Sequence, residues 1–249
     1  MSYFNYKSFR LFFREQGNGP LLIILPGNTA SSVWHQGELD CFSRRYHVAV
    51  LDFLGTGESD RLESWPDDWW YEGACQAKAL VDHLGEKRCI VMGTSGGAAA
   101  ALLMAIHFPQ YVSAVVADSC VEKFAPQSLR EEVESRHQLL PEQKSFWEKA
   151  HGQDWKGVVD ADSRLLLRLA DKGGDCIGGR LGEIQCPVLL TASLQDSLLP
   201  DAAQQICRMG QQIPDSRIFL NNAGDHPLMW SRPNDFRQVS EWFMSRPDF

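Results

Sequence analysis

The sequence predicts an α/β fold: a mostly parallel central sheet covered by helices on both faces, with a helical insertion before the last strands. Three observations carry this. Continuous apolar runs of strand length alternate with helical runs through most of the chain, as expected for parallel strands buried on both faces. Residues 120–182 break the alternation and hold only helical stretches. Gly93-Thr94-Ser95-Gly96-Gly97 lies between a strand run and an alanine-rich helical run.

Residues 3–14 alternate aromatic and polar side chains and predict an antiparallel edge hairpin. Leu21 to Leu25 is a continuous apolar strand stopped by Pro26-Gly27, and residues 47–52 form the next strand. A helix is expected over about 71–85, its positive end facing Asp67-Asp68. Residues 88–92 are a short buried strand, 98–105 a helix and 112–118 another strand. Within the insertion, Ser128-Leu129-Arg130-Glu131 has the pattern of a capping box. Pro141 leads a second helix, and the leucine-rich stretch from Asp162 to Asp171 ends at Gly173-Gly174. Strands at 187–192 and 217–220 and a helix over about 232–245 complete the set. The division is therefore a core of residues 1–119 and 183–249, with residues 120–182 as a helical lid over the strand ends.

The 249 residues, 44% of them hydrophobic, suffice for one large core. A net charge of −8 without like-charge runs argues against nucleic acid, which needs a basic footprint. The polar start lacks a secretory pattern, and no apolar stretch nears the ~20 residues of a membrane span. The seven cysteines include no C-x-x-C pair and read as reduced, buried thiols. A cytoplasmic protein is expected, monomeric or a small homo-oligomer, with a small molecule rather than a membrane as its partner.

Glycines two places either side of Ser95 remove side chains that would clash with a sharp strand-to-helix bend. That is the form of a nucleophile elbow, and it names Ser95 Oγ as the site of chemistry. A serine hydroxyl needs a base, and the base an orienting acid. His226 follows the 217–220 strand in a turn-forming sequence, unlike the other six histidines, which fall in or near helices, strands or the insertion. Asp196 follows the 187–192 strand and is the expected acid; Asp118 is its rival, and Asp201 reads as a helix cap. Ser95, His226 and Asp196 should meet in a hydrogen-bonded line. The oxyanion needs two backbone N–H groups, assigned to Gly96 and Asn28. Trp34, Trp147 and Trp230 are candidates for an apolar pocket wall, with core packing the equal alternative. The glycine-rich stretch from Asp52 to Ser59 matches no phosphate-binding pattern and reads as a structural turn. No metal-ligand spacing is present, and acyl transfer through serine requires no cofactor.

At these residues the chain resembles the α/β-hydrolase superfamily. The likeness runs through Leu25-Pro26-Gly27-Asn28, Asp52-x-x-Gly55-x-Gly57-x-Ser59, the elbow at 93–97, Gln185-Cys186-Pro187-Val188, Asp196 and Gly224-Asp225-His226. The Pro-Gly loop, Trp147 and Trp155 in the insertion, and Gln185-Cys186-Pro187 are similar to the valacyclovir hydrolase-like and carboxylesterase groups. The resemblance implies an α/β-hydrolase fold and a serine esterase activity. In the valacyclovir hydrolase-like group an acidic residue follows the nucleophile and binds an α-amino group; here the position is Gly96, which argues against aminoacyl esters. Pro26 stands where most of the superfamily has histidine, and Asp225 replaces a more frequent glycine, where its charge would raise the basicity of His226.

The leading expectation is hydrolysis of a small carboxylic ester, thioester or lactone. The alternatives are C–C bond hydrolysis or acyl transfer by the same triad, and a non-catalytic binding protein on the same fold. Serine rather than aspartate at the elbow disfavours dehalogenase and epoxide hydrolase chemistry.

Overall fold

The computed structural model describes residues 2–246. Its strands are β1 (Ser2–Tyr6), β2 (Phe9–Gln16), β3 (Leu21–Leu25), β4 (His47–Leu51), β5 (Cys89–Thr94), β6 (Val112–Asp118), β7 (Val188–Ser193) and β8 (Ser216–Asn221). They form an 8-stranded sheet in the order β1-β2-β4-β3-β5-β6-β7-β8. The β1–β2 hairpin is antiparallel and joins β4 antiparallel at one edge; every other pairing is parallel.

Alternation along each strand divides the core between two faces. Leu21, Ile23 and Leu25 of β3 point into one cluster, and Leu22 and Ile24 into the other. The first face is covered by α2 (Trp69–His83), α3 (Gly96–His107) and α7 (Ala202–Gln212). The second is covered by α1 (Gln36–Phe42), α8 (Leu228–Ser231) and α9 (Pro233–Met244). Each strand run expected from the sequence is present, within one or two residues at its ends.

Between β6 and β7 lie α4 (Pro126–Ser135), α5 (Pro141–His151) and α6 (Trp155–Asp171). The two ends of this insertion meet in a bridge between Lys123 and Asp175. Pro141 starts α5 as expected, but α4 begins at Pro126 rather than at Ser128. Proline at the first helical position needs no capping partner for a missing N–H, so Ser128 falls inside the helix. α6 also begins about two turns earlier than Asp162, at Trp155, which stacks on Trp147 with ring centroids 5.6 Å apart. Asp67 does not serve the α2 terminus; it pairs with Arg168 and Lys172 at the end of α6. Asp201 occupies the start of α7 without capping it, and accepts a hydrogen bond from Gln205 Nε2 at 2.7 Å instead.

The bend between β5 and α3 depends on missing side chains. A Cβ on Gly93 would lie 2.2 Å from the Gly97 carbonyl oxygen, and one on Gly97 would lie 2.1 Å from that of Leu25. Backbone cannot yield as a flexible side chain does. Gly97→Ala is therefore expected to cost about 2–3 kcal/mol and roughly 5–10 °C in Tm. A thermal melt equal to wild type would remove this reason for the glycine.

Candidate active site

Ser95 sits between β5 and α3 with φ 53° and ψ −123°. A non-glycine residue holds such a conformation only when its surroundings impose it. Two features impose it here. Its N–H donates to the Asp118 carbonyl at 2.8 Å, and α3 starts at the next residue. Gly27 lets the loop after β3 approach closely, since a Cβ there would stand 3.2 Å from Ser95 Cβ.

His226 lies after β8, as expected. Its Nδ1–H donates to Asp196 Oδ2 at 2.8 Å, and both side chains are nearly shielded from solvent. Asp196 Oδ1 accepts the backbone N–H groups of Leu198 and Leu199 at 3.1 and 2.7 Å. The carboxylate is thereby oriented with both oxygens engaged. Among the described residues the Ser95 hydroxyl forms no hydrogen bond. The histidine–aspartate link is closed and the serine–histidine link is open, while Ser95 and His226 line the same cavity.

Asp118 does not touch the imidazole. It is fully buried and accepts hydrogen bonds from Thr94 Oγ1, Thr191 Oγ1, Ser119 Oγ and the Met229 N–H. It therefore ties β5, β6 and β7 to the helix after His226, and burial pushes its carboxyl up to about 6. Asp225 likewise makes no hydrogen bond to the ring. Its Oδ1 accepts from the N–H groups of Ser197 and His226 and from Ser197 Oγ, joining the acid loop to the histidine loop. The Ser197 N–H foremost among these holds its carboxyl below the usual range.

The cavity has a volume of about 470 Å³. Trp147 and Trp230 line it. Trp34 does not: it stacks flat on Phe146, at 4.7 Å and 10°, with Lys149 Nζ 4.0 Å over its ring. An aromatic residue near a site is as easily used to support a wall as to form one, and Phe146 is the wall here. Phe124, Leu129 and Leu166 of the insertion extend the apolar lining, while Glu132 and Arg136 give it one polar flank. Burial opposes the Arg136 charge, yet the carboxylates of Asp162 and Glu132 hold the guanidinium above its ordinary value.

Asn28 and Gly96 face each other, so closely that a Cβ on Gly96 would lie 1.9 Å from Asn28 Oδ1. A side chain after the nucleophile, where the acidic residue of the resembled group would stand, would have to displace the Asn28 amide and Trp70. Thr29, φ 56°, is held from the insertion by Trp147 Nε1 at 3.2 Å and by His151 Nε2 at 2.9 Å. The glycine-rich loop is structural, as expected: buried Asp52 accepts the N–H groups of Ser32 and Glu58.

His151 was not legible as a site residue. Its Nδ1 accepts the Gly57 N–H at 2.9 Å, so its proton sits on Nε2, toward the Thr29 carbonyl. Burial lowers its pKa to about 4. The unfolded chain, near 6.5, then binds more protons than the folded one between those values. This histidine's contribution is complete above 6.5 and fades as pH falls toward 4. His151→Gln should be less stable than wild type at pH 7.5, and the gap should narrow on acidification by up to about 1.4 kcal/mol per pH unit. Urea midpoints of both proteins between pH 7.5 and 4.5 check this; a gap independent of pH contradicts it.

Among the described residues no helix is long and apolar enough to cross a membrane, and no cluster of His, Cys, Asp and Glu is arranged to hold a metal ion.

The chain is 26% identical to "Putative carbamate hydrolase RutD" of Pseudomonas savastanoi pv. phaseolicola, over 90% of this chain and 93% of that one. It is 32% identical to a 2-hydroxy-6-oxononadienedioate/2-hydroxy-6-oxononatrienedioate hydrolase of a Pseudomonas species, over 41% of this chain and 37% of that protein. The crystal structure of a hydrolase from Pseudomonas aeruginosa PA01 superposes with a TM-score of 0.81 at 17% identity, covering 98% of each chain. The family model described as the alpha/beta hydrolase fold matches residues 20–169. The chain belongs to the α/β-hydrolase fold family.

Proposed function

We propose that this chain is a serine hydrolase acting on a small carboxylic ester, thioester or lactone through an acyl-enzyme on Ser95. One observation carries the reading: a serine in a forced left-handed turn shares a cavity with a histidine whose Nδ1 is engaged by a buried aspartate at 2.8 Å. With Nδ1 protonated and bound to Asp196, the lone pair of His226 is on Nε2, the atom a general base must present. Ser95 Oγ attacks the substrate carbonyl carbon and its proton passes to Nε2. The N–H groups of Gly96 and Asn28 receive the oxyanion, helped by the positive end of α3. His226 returns the proton to the leaving group, and water then releases the acid by the same route. The insertion serves as a lid, and its aromatic wall suits an apolar acyl or leaving group. The free cysteines support a reducing, cytoplasmic setting.

The near full-length likeness to a chain carrying the carbamate hydrolase name favours a second reading, in which the same triad cleaves a carbamate. One experiment tests both. A tagged fluorophosphonate should label wild type at Ser95, and a panel of esters, thioesters, lactones and carbamates of graded size should rank the substrates. Lack of label at Ser95 with hydrolysis intact refutes the acyl-enzyme; carbamate turnover exceeding all esters replaces the first substrate class by the second.

A further inference from the structure

α6 carries a carboxylate where its pattern calls for an apolar residue. Val158, Val159, Leu165, Leu166 and Leu169 form its buried stripe, and Asp162 stands among them, fully shielded from solvent. A charge there is costly unless it is paired and hydrogen-bonded. Asp162 Oδ2 faces Arg136 Nη2 at 2.8 Å. The other oxygen serves a different element: Oδ1 accepts Asn28 Nδ2 at 2.7 Å. Asn28 Oδ1 in turn accepts Trp70 Nε1, from α2, at 3.1 Å. The Asn28 amide is therefore gripped at both ends, once from the insertion and once from the core. It lies directly against Gly96, and these two residues are the ones assigned the oxyanion donors.

We propose that Asp162 is a positioning residue of the oxyanion pocket, holding the Asn28 side chain, and through it the Asn28 backbone N–H, in place beside Gly96. The proposal rests on the serine-hydrolase reading above. Trp147 and His151 fix Thr29, and Ser31 Oγ donates to the Ala150 carbonyl at 2.9 Å. These contacts anchor the rest of the loop, whereas Asp162 reaches the residue that carries the donor. Oxyanion stabilisation depends on donors fixed before the charge develops. A loosened Asn28 weakens the transition state more than the bound substrate, so the loss falls on kcat and not on KM.

The test compares Asn28→Ala, Asp162→Ala, their double variant and Asp162→Asn, using the best ester of the panel. Asn28→Ala keeps the backbone N–H and removes only the side chain that is held. Asp162→Asn removes the charge and offers one acceptor oxygen to two donors, Asn28 Nδ2 and Arg136 Nη2. The alanine variants should each lower kcat by about 10–100-fold with KM changed by less than about threefold. The double variant should be no worse than the poorer single, because both remove one link. Asp162→Asn should recover part of kcat relative to Asp162→Ala, and affinity for a boronic acid, which takes up the serine oxygen as a tetrahedral anion, should fall in step with kcat. Multiplying losses, a change confined to KM, or an Asn28→Ala enzyme with wild-type kcat overturns the proposal. Asn28→Ala leaves the Asp162–Arg136 pair intact, so it decides the matter even if Asp162→Ala does not fold. Absence of fluorophosphonate label on wild type overturns the underlying serine reading instead, and the two failures are thereby separated.

Discussion

Ser95→Ala should lose roughly 10³-fold or more in ester turnover while the protein still folds. The size follows from what is removed. Without Oγ there is no acyl-enzyme, and His226 and Asp196 retain a base with nothing to deprotonate except water. What survives is binding and whatever the N–H groups of Gly96 and Asn28 supply. The fold should persist because the Ser95 hydroxyl forms no hydrogen bond among the described residues, while its backbone N–H contact to Asp118 does not depend on the side chain. Alanine keeps the left-handed strain of φ 53° without adding bulk. The measurement is turnover of a p-nitrophenyl acyl ester alongside a thermal melt. Wild-type turnover with an unchanged melt removes Ser95 from the chemistry.

The parts of this architecture that were legible in the sequence are those fixed by local constraint. The strands show as continuous apolar runs because both faces of the sheet are covered, and Leu21 to Leu25 divides cleanly between the two clusters. Ser95, Asp196 and His226 each stand in a turn just beyond a strand, so the strand order alone places them at one sheet edge. What was not legible depends on contacts between distant segments. The start of α4 pitted a capping pattern at Ser128 against proline at Pro126, and only packing chooses between them. Trp34 has the composition of a pocket wall, but stacking on Phe146 decides its place. His151 and Asp162 reach the loop after β3 across more than a hundred residues of chain, and no local pattern encodes such a partner. Asp162 did leave a trace: an acid on the leucine-rich face of an amphipathic helix implies a buried partner, though not which one.

Asp196→Asn should lower turnover by about 10³–10⁴-fold, far more than Asp118→Asn. The two aspartates lie at the ends of adjacent parallel strands, which makes them rivals in sequence, and their hydrogen bonds separate them. Asp196 Oδ2 accepts from His226 Nδ1, and Oδ1 is already held by the Leu198 and Leu199 N–H groups. Those two donors fix the amide oxygen of an asparagine in the Oδ1 position, so its NH₂ must face the imidazole. The ring is then driven to the tautomer with its proton on Nε2, and a base pointing at Ser95 becomes a donor. Asp118 meets only hydroxyls and backbone, and hydroxyls can rotate to accept from an amide. The Met229 N–H cannot, so it keeps the amide oxygen at the Oδ2 position, and the charge-assisted bonds from Thr191 and Ser119 to Oδ1 are the ones lost; Asp118→Asn should cost about 1–3 kcal/mol of stability and leave turnover within about tenfold of wild type. Steady-state kinetics and urea denaturation of both variants make the comparison. If Asp118→Asn is the more damaging to turnover, the acid of the triad is Asp118 and the 2.8 Å contact of His226 with Asp196 is structural.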